Sequence, residues 1–195
     1  MTRLLQILAA GALLLASLPG VAASPATDPP LPRDSIYQLP VQLTDHARRT
    51  RGWAVLRGKP RLVGMFYTSC QYICPLIVDS GRAIEKQLTP AERARLGVVL
   101  ISMDPERDTP AALKKVIDQR KLDGARWTLA SPPVGEVREV AGVLGIRYRP
   151  LADGEFNHTS TLVLVDADGR ILARTRQMGS RPDPEFVAAV KQALR

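Results

Sequence analysis

The chain has 195 residues and only two cysteines, four positions apart in Thr68-Ser69-Cys70-Gln71-Tyr72-Ile73-Cys74-Pro75. Directly before them runs Leu62-Val63-Gly64-Met65-Phe66-Tyr67, the pattern of a strand buried on both faces. Pro75 sits where a helix tolerates proline, in its first turn. The sulfurs therefore stand at a strand-to-helix junction, where they can share one metal ion or join as one disulfide. Over one helical turn their Cα atoms lie about 6 Å apart on a common face, inside the roughly 4.4–6.8 Å that a disulfide spans. The positive end of the helix dipole favours the thiolate form at that place. A second clue is His158, in Phe156-Asn157-His158-Thr159-Ser160, just ahead of another apolar strand.

Three chemistries fit these residues. Structural zinc takes four ligands, and the chain offers two cysteines and two histidines. His46 lies in the charged turn Asp45-His46-Ala47-Arg48-Arg49 and reads as a solvated histidine, which leaves zinc one ligand short. Copper suits two soft thiolates and one imidazole better, since Cu(I) accepts low coordination. A dithiol–disulfide exchange by Cys70 and Cys74 stays open, because export and a favoured thiolate are what such exchange needs.

The N-terminus bears on export. Arg3 is followed by an uncharged apolar run, Leu4 to Leu18, then Pro19-Gly20 and the small residues Val21-Ala22-Ala23. That is the layout of a leader cleaved after Ala23, and the run is shorter than the roughly 20 residues of a spanning helix. Residues 1–23 are expected as a signal peptide, 24–40 as a Pro-rich linker and 41–195 as one domain. The protein then works in the periplasm or another exported location, where unpaired thiols need a reason to persist. A domain of this length builds its core without staples. Closing so short a loop stabilises by only about 2 kcal/mol, so the cysteine pair is poorly placed for a structural role. The formal charge of +8 is scattered, and clusters such as Arg48-Arg49-Arg51 have no interleaved aromatics. It reads as a solubilising surface; composition and compartment both speak against nucleic acid.

From Val41 onward strand and helix signals alternate. Val41-Gln42-Leu43 starts a hairpin with a polar turn over Asp45 to Arg51. Leu62–Tyr67 is a strand, followed by a helix from about Leu76 to Leu88 with Ile77, Ala83 and Ile84 inward and Arg82, Glu85 and Lys86 outward. Thr89-Pro90-Ala91-Glu92 is a capped restart. Gly97–Ser102 is the second buried strand, and Asp104 to Thr109 is a charged loop. Thr109-Pro110 opens a helix to about Arg120, with Asp108 or Thr109 as its cap. Trp127–Leu129 is a short strand, and Pro133 to Leu144 a helix. Thr161–Val165 and Arg170–Thr175 form a hairpin around Asp166-Ala167-Asp168-Gly169, and Asp183 caps a last helix. Trp53 and Trp127 read as packing. The predicted fold is α/β and thioredoxin-like, a central mixed β-sheet flanked by helices with an added N-terminal β-hairpin. In that topology the loop entering the strand at Thr161 faces the helix start, so His158 can complete a site with Cys70 and Cys74.

These residues also resemble a known family. Phe66-Tyr67-Thr68-Ser69-Cys70 with Cys74-Pro75, then Asp104-Pro105-Glu106-Arg107-Asp108-Thr109-Pro110, then Asn157-His158-Thr159-Ser160 with Leu164-Val165-Asp166 and Gly169, are similar to the Sco/SenC family. The resemblance implies copper, as Cu(I), Cu(II) or both, bound by Cys70, Cys74 and His158. It also implies delivery of that copper to, or reduction of the cysteines of, the binuclear copper site of cytochrome c oxidase. The partner would be the apoprotein carrying that site, such as oxidase subunit II, or another copper carrier. Membrane contact then comes through the partner or an uncleaved leader, and the chain is expected as a monomer. Asp104 and Asp108 would lie near the ligands, and Tyr67 and Tyr72 would wall them. Gln71-Tyr72-Ile73 and Asn157 stand where many members carry an acid between the cysteines and an aspartate before the histidine. Thioredoxin-type enzymes have Cys-x2-Cys and a proline facing it; this chain has the longer spacing and no proline from Gly154 to Thr175. Both features favour a metallochaperone over a turnover enzyme, with a periplasmic thiol–disulfide oxidoreductase as the alternative.

Overall fold

Two runs with apolar side chains on both faces form the centre: β3 (Arg61–Phe66) and β4 (Gly97–Ser102), buried at every residue. They pair in parallel from Arg61 opposite Gly97 to Phe66 opposite Ser102, so both release their following loops at one end of the sheet. The computed structural model describes residues 29–70 and 73–195. The expected leader, Tyr72 and the side chain of Cys74 lie outside the described residues.

β5 (Trp127–Ser131) continues the parallel set beside β4. β8 (Leu162–Val165) lies antiparallel on the other side of β3, and β9 (Ile171–Thr175) pairs antiparallel with β8. The hairpin β1 (Gln42–Asp45) and β2 (Thr50–Gly52) extends the sheet beyond β5. The order is β2-β1-β5-β4-β3-β8-β9, the mixed thioredoxin-like sheet with the added hairpin.

Helices pack on this sheet through their apolar stripes. α1 (Ile73–Lys86) buries Ile77, Val78 and Ile84. α2 (Pro90–Arg95) begins with the predicted capping box of Thr89 and Glu92. α3 (Pro110–Gln119) is capped by Thr109, whose hydroxyl accepts the Ala112 N–H, leaving Asp108 for another role. α4 (Val137–Leu144) ends at Gly145 in the left-handed region, and α5 (Pro184–Ala193) is capped by Asp183.

Four features differ from the sequence reading. α1 starts at Ile73, ahead of Pro75, because a missing N–H in the first turn removes no intrahelical bond. Glu85 is buried, accepting from Arg126 Nε and Trp127 Nε1, both at 3.1 Å. Residues 31–40, expected as linker, pack on the domain: Ile36–Gln38 form a 3-10 turn that buries Ile36 and Tyr37. A small antiparallel sheet, β6 (Tyr148–Pro150) with β7 (Phe156–His158), stands apart from the main one.

Two contacts fasten the ends of this frame. Gly169 has φ +84° in the β8–β9 turn, and a Cβ there would lie 2.6 Å from Tyr37 and 2.7 Å from Ser35. At the other end Asp108 is fully buried. Its carboxylate accepts from the Thr68 backbone N–H at 3.0 and 3.1 Å, from the Thr68 hydroxyl, and from Ser102 Oγ at 2.6 Å. Ser131 Oγ donates to the Asp108 carbonyl at 2.8 Å. One residue thus ties the cysteine loop to the ends of β4 and β5. Burial pushes the Asp108 carboxyl above the ordinary range against the pull of the Ser102 and Thr68 hydrogen bonds.

Gly169→Ala is expected to cost about 2 kcal/mol or more through strain and overlap, read by chemical denaturation. Asp108→Ala, which strands several donors, is expected to cost about 3 kcal/mol. Because the folded state holds the Asp108 proton more tightly, that contribution is present below the ordinary carboxylate pKa and is lost as pH rises through the Asp108 value. The stability advantage of wild type over Asp108→Asn therefore narrows with rising pH; an advantage that widens would contradict the assignment.

Candidate functional site

The loop leaving β3 carries Thr68, Ser69 and Cys70 toward α1. Cys70 is 8% exposed and lines a cleft of about 190 Å³ with Phe66, Pro75 and Arg120. Arg120, at the end of α3, donates from Nη2 to the Pro75 carbonyl at 2.9 Å and to Asp79 Oδ1 at 3.1 Å. This holds the first turn of α1, to which Cys74 belongs, against α3.

His158 arrives from the opposite side as the last residue of β7, paired in register with Tyr148. Tyr67 joins the two sides. Its ring meets Phe156 edge-on at 5.1 Å and His158 edge-on at 5.9 Å between centroids. Its hydroxyl donates to Glu155 Oε2 at 2.8 Å and accepts the Phe156 N–H at 3.4 Å. Burial, the hydrogen bond to Glu155 and the neighbouring Cys70 thiol push the Tyr67 pKa far up. Tyr67 is a neutral donor at any physiological pH.

Both ring nitrogens of His158 are buried, and neither has a hydrogen-bond partner among the described residues. Burial lowers its pKa, opposed by a Thr159 backbone group that lies near the ring without meeting hydrogen-bond geometry. A neutral imidazole keeps one lone pair free for a Lewis acid. Leaving such an atom buried and unmatched costs about 1–3 kcal/mol, so its surroundings suit a metal better than they suit packing.

The remaining predicted residues divide. Asp108 acts through Thr68 on the cysteine loop, as described above. Asp104 is buried and acts at a distance: its backbone N–H donates to Ser102 Oγ at 2.9 Å, and its carboxylate pairs with Arg107. Arg107 in turn donates to the Gly154 carbonyl in the β6–β7 turn. Asn157 is exposed, on the face of β7 opposite Phe156 and His158. His46 is not solvated. It is buried, its Nδ1 accepts the Leu129 N–H at 3.3 Å, and its own N–H donates to the Leu129 carbonyl at 2.8 Å, clamping the β1–β2 turn onto β5. Among the described residues no three metal-binding side chains gather as a set. Cys70 and His158 are the described members, and both border Tyr67.

Sequence reasoning missed Glu155 and Arg107. The dipeptide Asp153-Gly154, between Tyr148-Arg149-Pro150 and Phe156-Asn157-His158, is a hairpin signal that points to Glu155; no local signal points to Arg107.

Known proteins carry the same architecture. The chain is 28% identical over 141 residues to the SCO1 protein homolog of Bacillus subtilis, covering 71% of this chain and 72% of that protein. The structure of Bradyrhizobium japonicum ScoI with copper bound superposes with a TM-score of 0.65 at 27% identity, over 79% of this chain and 97% of the other. Arabidopsis thaliana ScoI with copper bound shares the fold at TM-score 0.65 and 19% identity, over 78% and 97% of the two chains. The SCO1/SenC family pattern matches residues 31–195, which takes in the cysteine loop, the Asp104–Asp108 segment and His158: the chain belongs to the SCO1/SenC family.

Proposed function

We propose that this protein is an exported copper metallochaperone of the Sco type. Copper is its cargo, held by the thiolates of Cys70 and Cys74 and by the His158 imidazole. The observation that carries this reading is the half-buried imidazole of His158, its two nitrogens buried and without a hydrogen-bond partner among the described residues, edge-on to the same tyrosine that borders Cys70. Soft thiolates with one imidazole suit copper by ligand type. Copper-bound Sco proteins of like fold support the same assignment.

Transfer proceeds by ligand exchange. An acceptor's thiolates displace Cys70 and Cys74 in turn, and a further ligand of the acceptor displaces His158. The acceptor class is a binuclear copper site such as that of cytochrome c oxidase subunit II, the task that the family resemblance implies. Oxidation of Cys70 and Cys74 to a disulfide removes both anionic sulfurs and switches binding off. The leader over 1–23 supplies export, and the domain acts as a monomer.

The reduced protein is expected to hold one copper per chain in competition with zinc, measured by metal analysis after gel filtration, and Cys70→Ser to abolish it. His158→Ala is expected to weaken copper by more than the about 10–100-fold that loss of an outer partner costs, with the dithiol potential little changed. Retained copper affinity in His158→Ala, or thiol exchange activity that survives it, would favour an oxidoreductase instead. Tyr67→Phe keeps the ring and loses the Glu155 contact. It is expected to lower copper affinity by about tenfold at unchanged stoichiometry, measured by chelator competition.

A further inference from the structure

At the far end of β3 from the cysteine loop the chemistry is different. No acid occurs between Asp45 and Asp79, and that span holds Arg48, Arg49, Arg51, Arg57, Lys59 and Arg61. Arg61 opens β3 and lies over Gly97, its partner in register; a Cβ at Gly97 would come within 2.5 Å of Arg61 Nη1. The side chain is buried, with 8% of the residue exposed. Its Nε donates to the Leu56 carbonyl, and Tyr37 lies beside it with a pKa pushed up to about 12 by burial, against the pull of the guanidinium. Arg61 has no carboxylate partner among the described residues. A guanidinium cannot shed its proton to escape this situation, and a buried cation without a counter-charge is unfavourable.

Arg61 lines a cleft of about 340 Å³ walled by Leu43, Trp53 and Leu56 and rimmed by Arg49 and Arg51. Arg49 is occupied by Asp45 at 2.8 Å, which also cancels the one carboxylate on the wall. Arg51 has no ion pair among the described residues. Trp53 is 2% exposed, and its indole N–H is buried without an acceptor among the described residues. The cleft thus presents two guanidiniums from separate elements that have no carboxylate partner among the described residues, Arg61 hydrogen-bonded only to neutral groups and Arg51 open to solvent, beside Trp53 and apolar sides that keep the local dielectric low.

We propose that this cleft binds a phosphate group or an equivalent tetrahedral oxyanion, held by Arg61 from within and Arg51 at the rim. Guanidinium forks match phosphate oxygens in geometry and charge, and cations approaching from two elements suit a tetrahedral anion better than a planar carboxylate. A free phosphate and a phospholipid headgroup present the same group to it. The site is separate from the cysteine loop and does not depend on what that loop binds.

The test uses the full chain, isotope-labelled at the indole nitrogens. Titration with inorganic phosphate is expected to shift the Trp53 indole resonance saturably. The Trp127 resonance, held by Glu85 at 3.1 Å, should stay still. Arg51→Gln and Arg61→Gln are each expected to weaken the response by about tenfold or more, the loss of one charge-assisted hydrogen bond. Arg51 is exposed, so that variant folds even where Arg61→Gln does not. A response to phosphatidylglycerol vesicles but not to phosphate or phosphatidylcholine vesicles, and dependent on Arg51, supports the site with a lipid as the source. No response to any of these probes, or one that survives both substitutions, overturns the proposal and leaves Arg61 as a brace for the Leu56 carbonyl.

Discussion

β3 and β4 are parallel, buried on both faces, and in register to their last residues, Phe66 and Ser102. Strands with this arrangement must release their loops side by side, and here one loop carries Cys70 and the other carries Asp104 to Asp108. A water-free carboxylate between them would be costly unless saturated with donors. Asp108 meets that condition with the Thr68 amide, the Thr68 hydroxyl and Ser102. The strand pairing therefore fixes where the thiol loop begins, and the carboxylate fixes how it leaves.

The histidine side of the site is built on opposite terms. Asp108 has its full set of donors, whereas His158 has none for either nitrogen among the described residues. Its position comes from an edge-on contact with Tyr67 and from the backbone of β7, not from polar contacts of its own ring nitrogens among the described residues. Such an arrangement costs stability; under the proposed copper reading it leaves a lone pair available. Tyr67 contributes twice, through its ring to the imidazole and through its hydroxyl to Glu155.

Much of this was legible in the residues, and the exceptions share one cause. The buried strands, the Thr89–Glu92 box and the Thr109-Pro110 start are local signals, and each appears where the sequence puts it. Cys70 and His158 stand out because the chain has only two cysteines and two histidines. The small β6–β7 sheet has no clear sequence signature: its strands are three residues long, too short to establish a period, and one ends in proline. Its order comes from Arg107 and Tyr67, which no window around residue 150 contains. His46 and Glu85 were assigned to water because they are polar residues among charged neighbours. Their partners, Leu129 and Trp127, lie on β5 far along the chain.

The two anchors of the β6–β7 ribbon span very different stretches of chain. Arg107 reaches Gly154 across 47 residues, and Tyr67 reaches Glu155 across 88. Closing loops of that length is entropically slow and gains little until both ends already stand on a formed sheet. The order of the ribbon, and with it the placement of His158, is therefore conditional on the sheet that carries both anchors. Loss of either anchor is therefore felt first at His158, at the end of the ribbon, and not at the central strands.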